Sequence, residues 1–189
     1  MHLTEAVLAS LRERYGEPRP LRWEGEVSAE EFTLAGSSPE RRHDVTFFVF
    51  DPRGRLALIQ KPSYAEGVWR PPGGGVRRGE RFETGVEREA REELGIQIEL
   101  ERFLVSTEAT FRCADGVIDW RTHVFSARTD EQELRPIDTH EISAARWGTT
   151  TELAGPIRAR LLETGRMLWR YRVALHDAAL VALADTSGL

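Results

Sequence analysis

Seven residues between Gly74 and Gly95 carry the strongest chemical signal in this chain: Gly74, Glu80, Arg88, Glu89, Glu92, Glu93 and Gly95. Five residues separate Gly74 from Glu80, and seven separate Glu80 from Arg88. On a helix, positions i, i+3 and i+4 share a face, so Glu89, Glu92 and Glu93 project together. Their like charges repel. A hard divalent cation removes that repulsion and gains oxygen ligands. Magnesium takes few protein carboxylates and leaves its other positions to water and phosphate. An acidic helix face beside an open cleft therefore suits phosphate chemistry. Taken alone, the three glutamates fit a solvated helix face equally well.

The elements around them must hold the carboxylates still. Phe82, Val86 and Ala90 recur every four residues and give the same helix an apolar face that anchors it. The helix is expected over residues 82 to 94, closed by Gly95. Gly73-Gly74-Gly75 lets the backbone turn tightly and approach the helix or a ligand. A salt bridge from Arg88 to Glu80 would brace this loop against the helix. Before it, residues 45 to 50 and 56 to 59 read as buried strands joined by the turn Asp51-Pro52-Arg53-Gly54, which predicts a β-hairpin. Residues 62 to 79 read as a glycine- and proline-rich loop. Strands are expected over residues 96 to 105, 117 to 127 and 144 to 147. Helices are expected over 3 to 15, 156 to 164 and 166 to 185, with Pro156 in a first helical turn. Residues 21 to 42 are mixed and polar and end in a turn at Gly36-Ser37-Ser38-Pro39. Strands mixed with helices of this length predict a sheet with helices packed on it.

The run from Gly74 to Ile96 resembles the signature of the Nudix hydrolase superfamily: Gly, five residues, Glu, seven residues, then Arg-Glu-aliphatic-x-Glu-Glu-x-Gly-aliphatic. Every fixed position is filled, and Ala90 is small for its aliphatic place. With each residue type used at roughly 5–10%, seven fixed letters coincide by chance about once in 10⁸ starting points. Trp69-Arg70-Pro71-Pro72-Gly73-Gly74 and the strands before it extend the likeness over about residues 43 to 153.

The resemblance implies an α/β/α sandwich around a mixed β-sheet, with extra N- and C-terminal helices. It divides the chain into an extension (1–42), a core (43–153) and a C-terminal helical segment (154–189). It also implies cleavage of a diphosphate linkage in a nucleotide derivative by water, with magnesium, or manganese as a substitute. Glu92 and Glu93 would be the firmest metal ligands. Glu89 would be a further ligand or the general base. Glu80 would act through a metal-bound water or only through Arg88. Relatives often add an acidic residue from a loop, and Glu141 is the candidate here, set against a plain surface glutamate. Lys61, at the end of a strand, and Arg70 are candidates to face phosphate. Trp69 either stacks on a base or packs beside the glycine loop. Phe111, Arg112 and Trp120 shape a specificity pocket or pack at the rim. Residues that mark ADP-ribose and diadenosine polyphosphate hydrolases among relatives are not matched at Thr110, Arg112 and Cys113. That leaves the nucleoside triphosphate group or a broader range of derivatives.

Composition bounds the rest. At 189 residues and 40% hydrophobic, one decorated domain is expected. A formal net charge of -5 gives no general reason for nucleic-acid or membrane binding. One cysteine, Cys113, excludes an intrachain disulfide and a cysteine-rich metal site. A soluble, cytoplasmic protein without a signal peptide is expected. Lys61 is the only lysine among 26 basic residues, which reads as a chain-wide arginine bias. The first 40 residues leave two roles open, dimerisation or covering the site. Against the hydrolase stand a regulatory Nudix-fold module, which would commonly lose signature glutamates, and an RNA-end hydrolase, which would want a basic strip.

Overall fold

The computed structural model describes residues 3–37, 43–77 and 79–185. In chain order the elements are α1 (Glu5–Tyr15), β1 (Arg19–Glu26), α2 (Ala29–Gly36), β2 (His43–Phe50), β3 (Leu56–Gln60), α3 (Phe82–Leu94), β4 (Glu99–Cys113), β5 (Gly116–Arg128) and β6 (Ala144–Gly148). A short α4 (Thr150–Glu152), a π-helical stretch (Leu153–Ile157), α5 (Arg158–Glu163) and α6 (Met167–Ala184) complete it.

Alternation along the strands explains the layers. In β2, Val45, Phe47 and Val49 face one apolar cluster and Phe48 the other. β3 divides in the same way, with Ala57 and Ile59 opposite Leu56 and Leu58. A strand buried on both faces reads as a continuous apolar run. Helices α1 and α3 cover one face, and α5 and α6 pack in the cluster on the other. The result is the expected α/β/α sandwich. Its six-stranded mixed sheet runs β1-β4-β5-β2-β3-β6, with parallel pairs β1–β4 and β5–β2 and the others antiparallel.

The structure corrects three sequence expectations. The polar stretch 21–42 contains most of β1 and all of α2 rather than irregular chain; the turn expected at Gly36–Pro39 lies partly outside the described residues. β1 is an edge strand in which only Leu21, Trp23 and Gly25 are half-buried, so it has no apolar run to reveal it. The signal for α2 was the spacing Ser28-x-x-Glu31, which forms a reciprocal capping box. Second, β2 and β3 meet only at Phe50 and Leu56, and β2 pairs along its length with β5 instead. Third, the last helical region starts at Thr150, capped by Thr149, and Pro156 lies inside the π-helical stretch. The N–H that proline lacks falls where the hydrogen-bond register changes.

Two buried histidines give the fold an acid-sensitive core. Burial, and then His43, push the His123 imidazole down to about 3; its Nε2 lies 3.2 Å from His43 Nδ1. His176 is also pushed well down by burial and by Arg172. Neither ring nitrogen of His176 has a hydrogen-bond partner among the described residues. The unfolded chain binds protons at both rings below about pH 6.5, whereas the folded chain does not, so stability falls as pH drops through that value. Urea midpoints should therefore fall between about pH 7 and pH 5, with His123 alone contributing about 2 kcal/mol of that loss. His123→Gln should flatten the slope; an unchanged slope would show that His123 is not held neutral.

Candidate active site

β2 and β3 separate after their single pairing, and the segment Arg70–Gly74 fills the gap. Ile59 and Arg70 exchange backbone hydrogen bonds of 2.8 and 3.1 Å. Phe47 N–H donates to Pro72 O at 3.0 Å, and Val45 N–H to Gly74 O at 2.9 Å. Two prolines are tolerated because the segment offers carbonyls to β2, so their missing N–H groups cost nothing there. Gly73 is required by its closeness to backbone, whereas a side chain at Gly74 would instead displace the Glu89 carboxylate. A Cβ at Gly73 would lie 2.2 Å from Val45 O, and one at Gly74 would lie 2.2 Å from the Glu89 carboxylate.

α3 follows, formed where expected. Phe82, Val86, Ala90 and Leu94 bury its apolar face in the cluster shared with α1. This fixes the carboxylates opposite the glycine segment. Glu93 is only 1% exposed. Its Oε2 accepts from Gly73 N–H at 2.7 Å, and its Oε1 lies 3.5 Å from Arg70 Nη2 and 3.8 Å from Lys61 Nζ. Burial holds its carboxyl above the usual carboxylate range, against the pull of Arg70, Lys61 and the Gly73 N–H. Arg70, 4% exposed, also donates to Tyr64 Oη and Pro71 O, both at 2.8 Å.

Arg88 joins the remaining acids. It donates to both oxygens of Glu80 at 3.0 and 3.1 Å, to Glu89 Oε1 at 2.9 Å and to Glu92 Oε2 at 2.8 Å. It also donates to Gly75 O at 2.9 Å, closing the brace between loop and helix. The Arg88 guanidinium holds Glu80 below the usual carboxylate range, helped by the Arg77 N–H and opposed by burial.

A cleft of about 370 Å³ opens beside Gly73, Gly74 and Glu89. Lys61, Arg70 and Glu141 line it on the same side, and Lys61 and Glu141 form an ion pair. Asp44, Trp120, Tyr171, Arg172, Leu34 and Leu168 line it as well.

A NUDIX domain model matches residues 40–166, two thirds of the chain. The chain belongs to the Nudix family. It is a Nudix hydrolase; enzymes of that family act on nucleotide derivatives and generally use divalent metals. Among solved structures, the chain is similar to the E. coli ORF135 protein at 19% identity, with 80% of this chain and 98% of that one covered and a TM-score of 0.49. It is similar to a C. elegans Ap4A hydrolase at 15% identity, with 77% and 99% covered and a TM-score of 0.49. It is also similar to an ADP-ribose pyrophosphatase from Streptococcus suis at 17% identity, with 57% and 73% covered and a TM-score of 0.41.

The structure brings most of the sequence-derived candidates together. Glu80, Arg88, Glu89 and Glu92 share one ion-pair network. Glu93, Arg70, Lys61 and Glu141 form a second one beside it. Trp69 does not line the cleft; the Arg146 guanidinium covers its ring at 4.6 Å. Phe111 is buried with its edge in the cleft wall, and Arg112 turns away to Glu24. Asp44, Tyr64 and Arg172 were not singled out in the sequence. Asp44 is a lone acid beside the apolar run Val45–Phe50, Tyr64 lies in the glycine- and proline-rich loop, and Arg172 ends the basic, aromatic stretch Met167–Arg172; no spacing pattern marks any of them.

The donor set suits a hard divalent cation, since all its members are carboxylates. Among the described residues no three acidic, histidine or cysteine side chains converge as a ready-made metal group. Arg88, Arg77, Arg70 and Lys61 hold the carboxylates instead. Metal binding would exchange some of these contacts for metal–oxygen ones. No helix among the described residues is long and apolar enough to cross a membrane.

Proposed function

We propose that this Nudix hydrolase cleaves a diphosphate linkage in a nucleoside di- or triphosphate derivative, with magnesium as the metal. The observation that carries the reading is the Glu93 carboxylate, buried at the glycine segment and fixed by a backbone N–H, while Glu89 of the same helix faces the adjoining cleft. Glu92 and Glu93 would hold the metal, with Glu89 beside them. Magnesium, when bound, neutralises phosphoryl charge and lowers the pKa of water.

The chain's own residues do the rest. Water attacks one phosphorus, the bond from that phosphorus to the bridging oxygen breaks, and the bridging oxygen leaves with its electron pair. Glu89 takes the proton of the attacking water. Arg70 and the Gly73 N–H orient Glu93, and Arg88 orients Glu80, Glu89 and Glu92 through the bonds described above. Lys61 lines the cleft as a cation between Glu93 and Glu141, where an anionic substrate can compete for it. Glu141 then stands as a further carboxylate at the cleft.

A panel of nucleoside triphosphates and diphosphate-linked nucleotides, incubated with magnesium, tests this. Release of a nucleoside monophosphate from at least one member, lost on chelation, is expected. Saturable binding with no turnover in any member would favour a regulatory module. Turnover restricted to triphosphorylated RNA would move the activity to RNA ends.

A further inference from the structure

Part of the cleft wall is built from residues that the phosphate chemistry does not use. Trp120, half-buried on β5, donates its indole N–H to Asp44 Oδ1 at 3.2 Å. Thr122 Oγ1 donates to the same oxygen at 2.5 Å. These bonds fix the indole plane. The other Asp44 oxygen faces Arg172 Nη2 at 3.6 Å, longer than a hydrogen bond. Arg172 is held in turn by donating to Thr46 Oγ1 at 2.8 Å. A carboxylate acceptor and a guanidinium donor thus stand side by side on the cleft wall. Leu168 half-exposed and Leu34 59% exposed line the same cleft.

We propose that this part of the wall holds the nucleobase of the substrate. The base lies flat against Trp120 and the two leucines and turns its hydrogen-bonding edge to Asp44 and Arg172. The inference rests on the proposed nucleotide hydrolysis and adds the residues that recognise the nucleoside. A purely apolar group would strip water from Asp44 and Arg172 and offer neither a hydrogen bond in return, which is costly. A sugar offers the indole only a C–H face and has no flat ring whose edge sets a donor beside an acceptor. A nucleobase supplies the flat face together with adjacent donor and acceptor atoms. Stacking of bases on aromatic side chains is a recurrent mode of recognition. A cleft of about 370 Å³ also falls in the range of small-molecule sites.

Uncharged nucleosides without metal test the subsite apart from the catalytic centre. The chain has five tryptophans, and Trp120→Phe assigns the indole N–H resonance of Trp120 in the spectrum of the full protein. Titration with adenosine, guanosine, cytidine and uridine should shift that resonance saturably for at least one, whereas ribose should not. Arg172→Met should weaken the binding about tenfold. A Trp120 signal indifferent to every nucleoside, or equally responsive to ribose, would overturn the proposal. So would undiminished nucleoside affinity in a folded Arg172→Met protein. If nucleosides bind as described but no nucleotide is hydrolysed, the hydrolytic reading fails and the subsite stands. Hydrolysis with a silent Trp120 removes the subsite alone.

Discussion

Glu93→Gln lowers turnover at least about a hundredfold, or about 2.7 kcal/mol of transition-state stabilisation, in a protein that still folds. The substitution keeps the side chain's shape and an oxygen to accept the Gly73 N–H, so the glycine segment stays docked. It removes the negative charge placed deepest in the site. Arg70 and Lys61 then face a neutral amide, and the cation would lose its most firmly fixed ligand. The fold also has a reason to tolerate the change. Glu93 as an anion already sits against the cost of burial, and its replacement relieves that cost. Against this, Arg70 loses a counter-charge but keeps its bonds to Tyr64 and Pro71. A net loss of about 2 kcal/mol is expected, seen as a melting temperature lower by several degrees. Steady-state kinetics with saturating magnesium, together with circular dichroism, read both effects. Wild-type turnover in the folded variant would take Glu93 out of the metal site and the proposed mechanism with it.

The carboxylates were legible because helical periodicity converts spacing directly into a shared face. Phe82, Val86 and Ala90 named the buried side of α3, and the glutamates could then only lie elsewhere. The docking of Glu93 was not legible in this way. It depends on β2 and β3 parting after Phe50 and Leu56, so that Arg70–Gly74 enters the sheet between them. Nothing in Val45–Phe50 distinguishes a strand paired with its neighbour from one paired with β5. For that reason Arg70 could be named as a phosphate-facing candidate, but not as the buried partner of Glu93. β1 and the Asp44–Arg172 pair escape the sequence for a related reason. Edge strands such as Arg19–Glu26 bury only alternate positions lightly. Asp44 and Arg172 lie 128 positions apart in the chain, on β2 and α6. Only the tertiary structure puts an aspartate beside an arginine across that separation, and no local rule of spacing reports it.

Arg88→Met should destabilise the metal-free protein by about 3 kcal/mol, within the range for removing one partner of a buried charge pair. Five hydrogen bonds end on this guanidinium, and its side chain is 17% exposed. Without it Glu80 and Glu89, each 15% exposed at the side chain, face one another and Glu92 with only the more exposed Arg77 guanidinium, 3.5 Å from Glu92, beside them. The Gly75 carbonyl also loses its donor, so the brace between the glycine segment and α3 opens. Arg88→Lys should rescue little, because an ammonium cannot reach two oxygens of Glu80, two further carboxylates and a carbonyl from one planar fork. Magnesium provides the distinguishing readout. A cation bound by the same carboxylates replaces part of the lost positive charge, so its addition should raise the variant's melting temperature more than the wild type's. Turnover should still fall, about tenfold or more, because the cation restores charge without restoring the orientation that Arg88 gives Glu89. Melting curves in chelator and in magnesium separate the two contributions. An Arg88→Met protein that melts like the wild type in chelator would show that the carboxylates need no cationic brace. Equal magnesium shifts in the two proteins would show instead that the ion binds away from them.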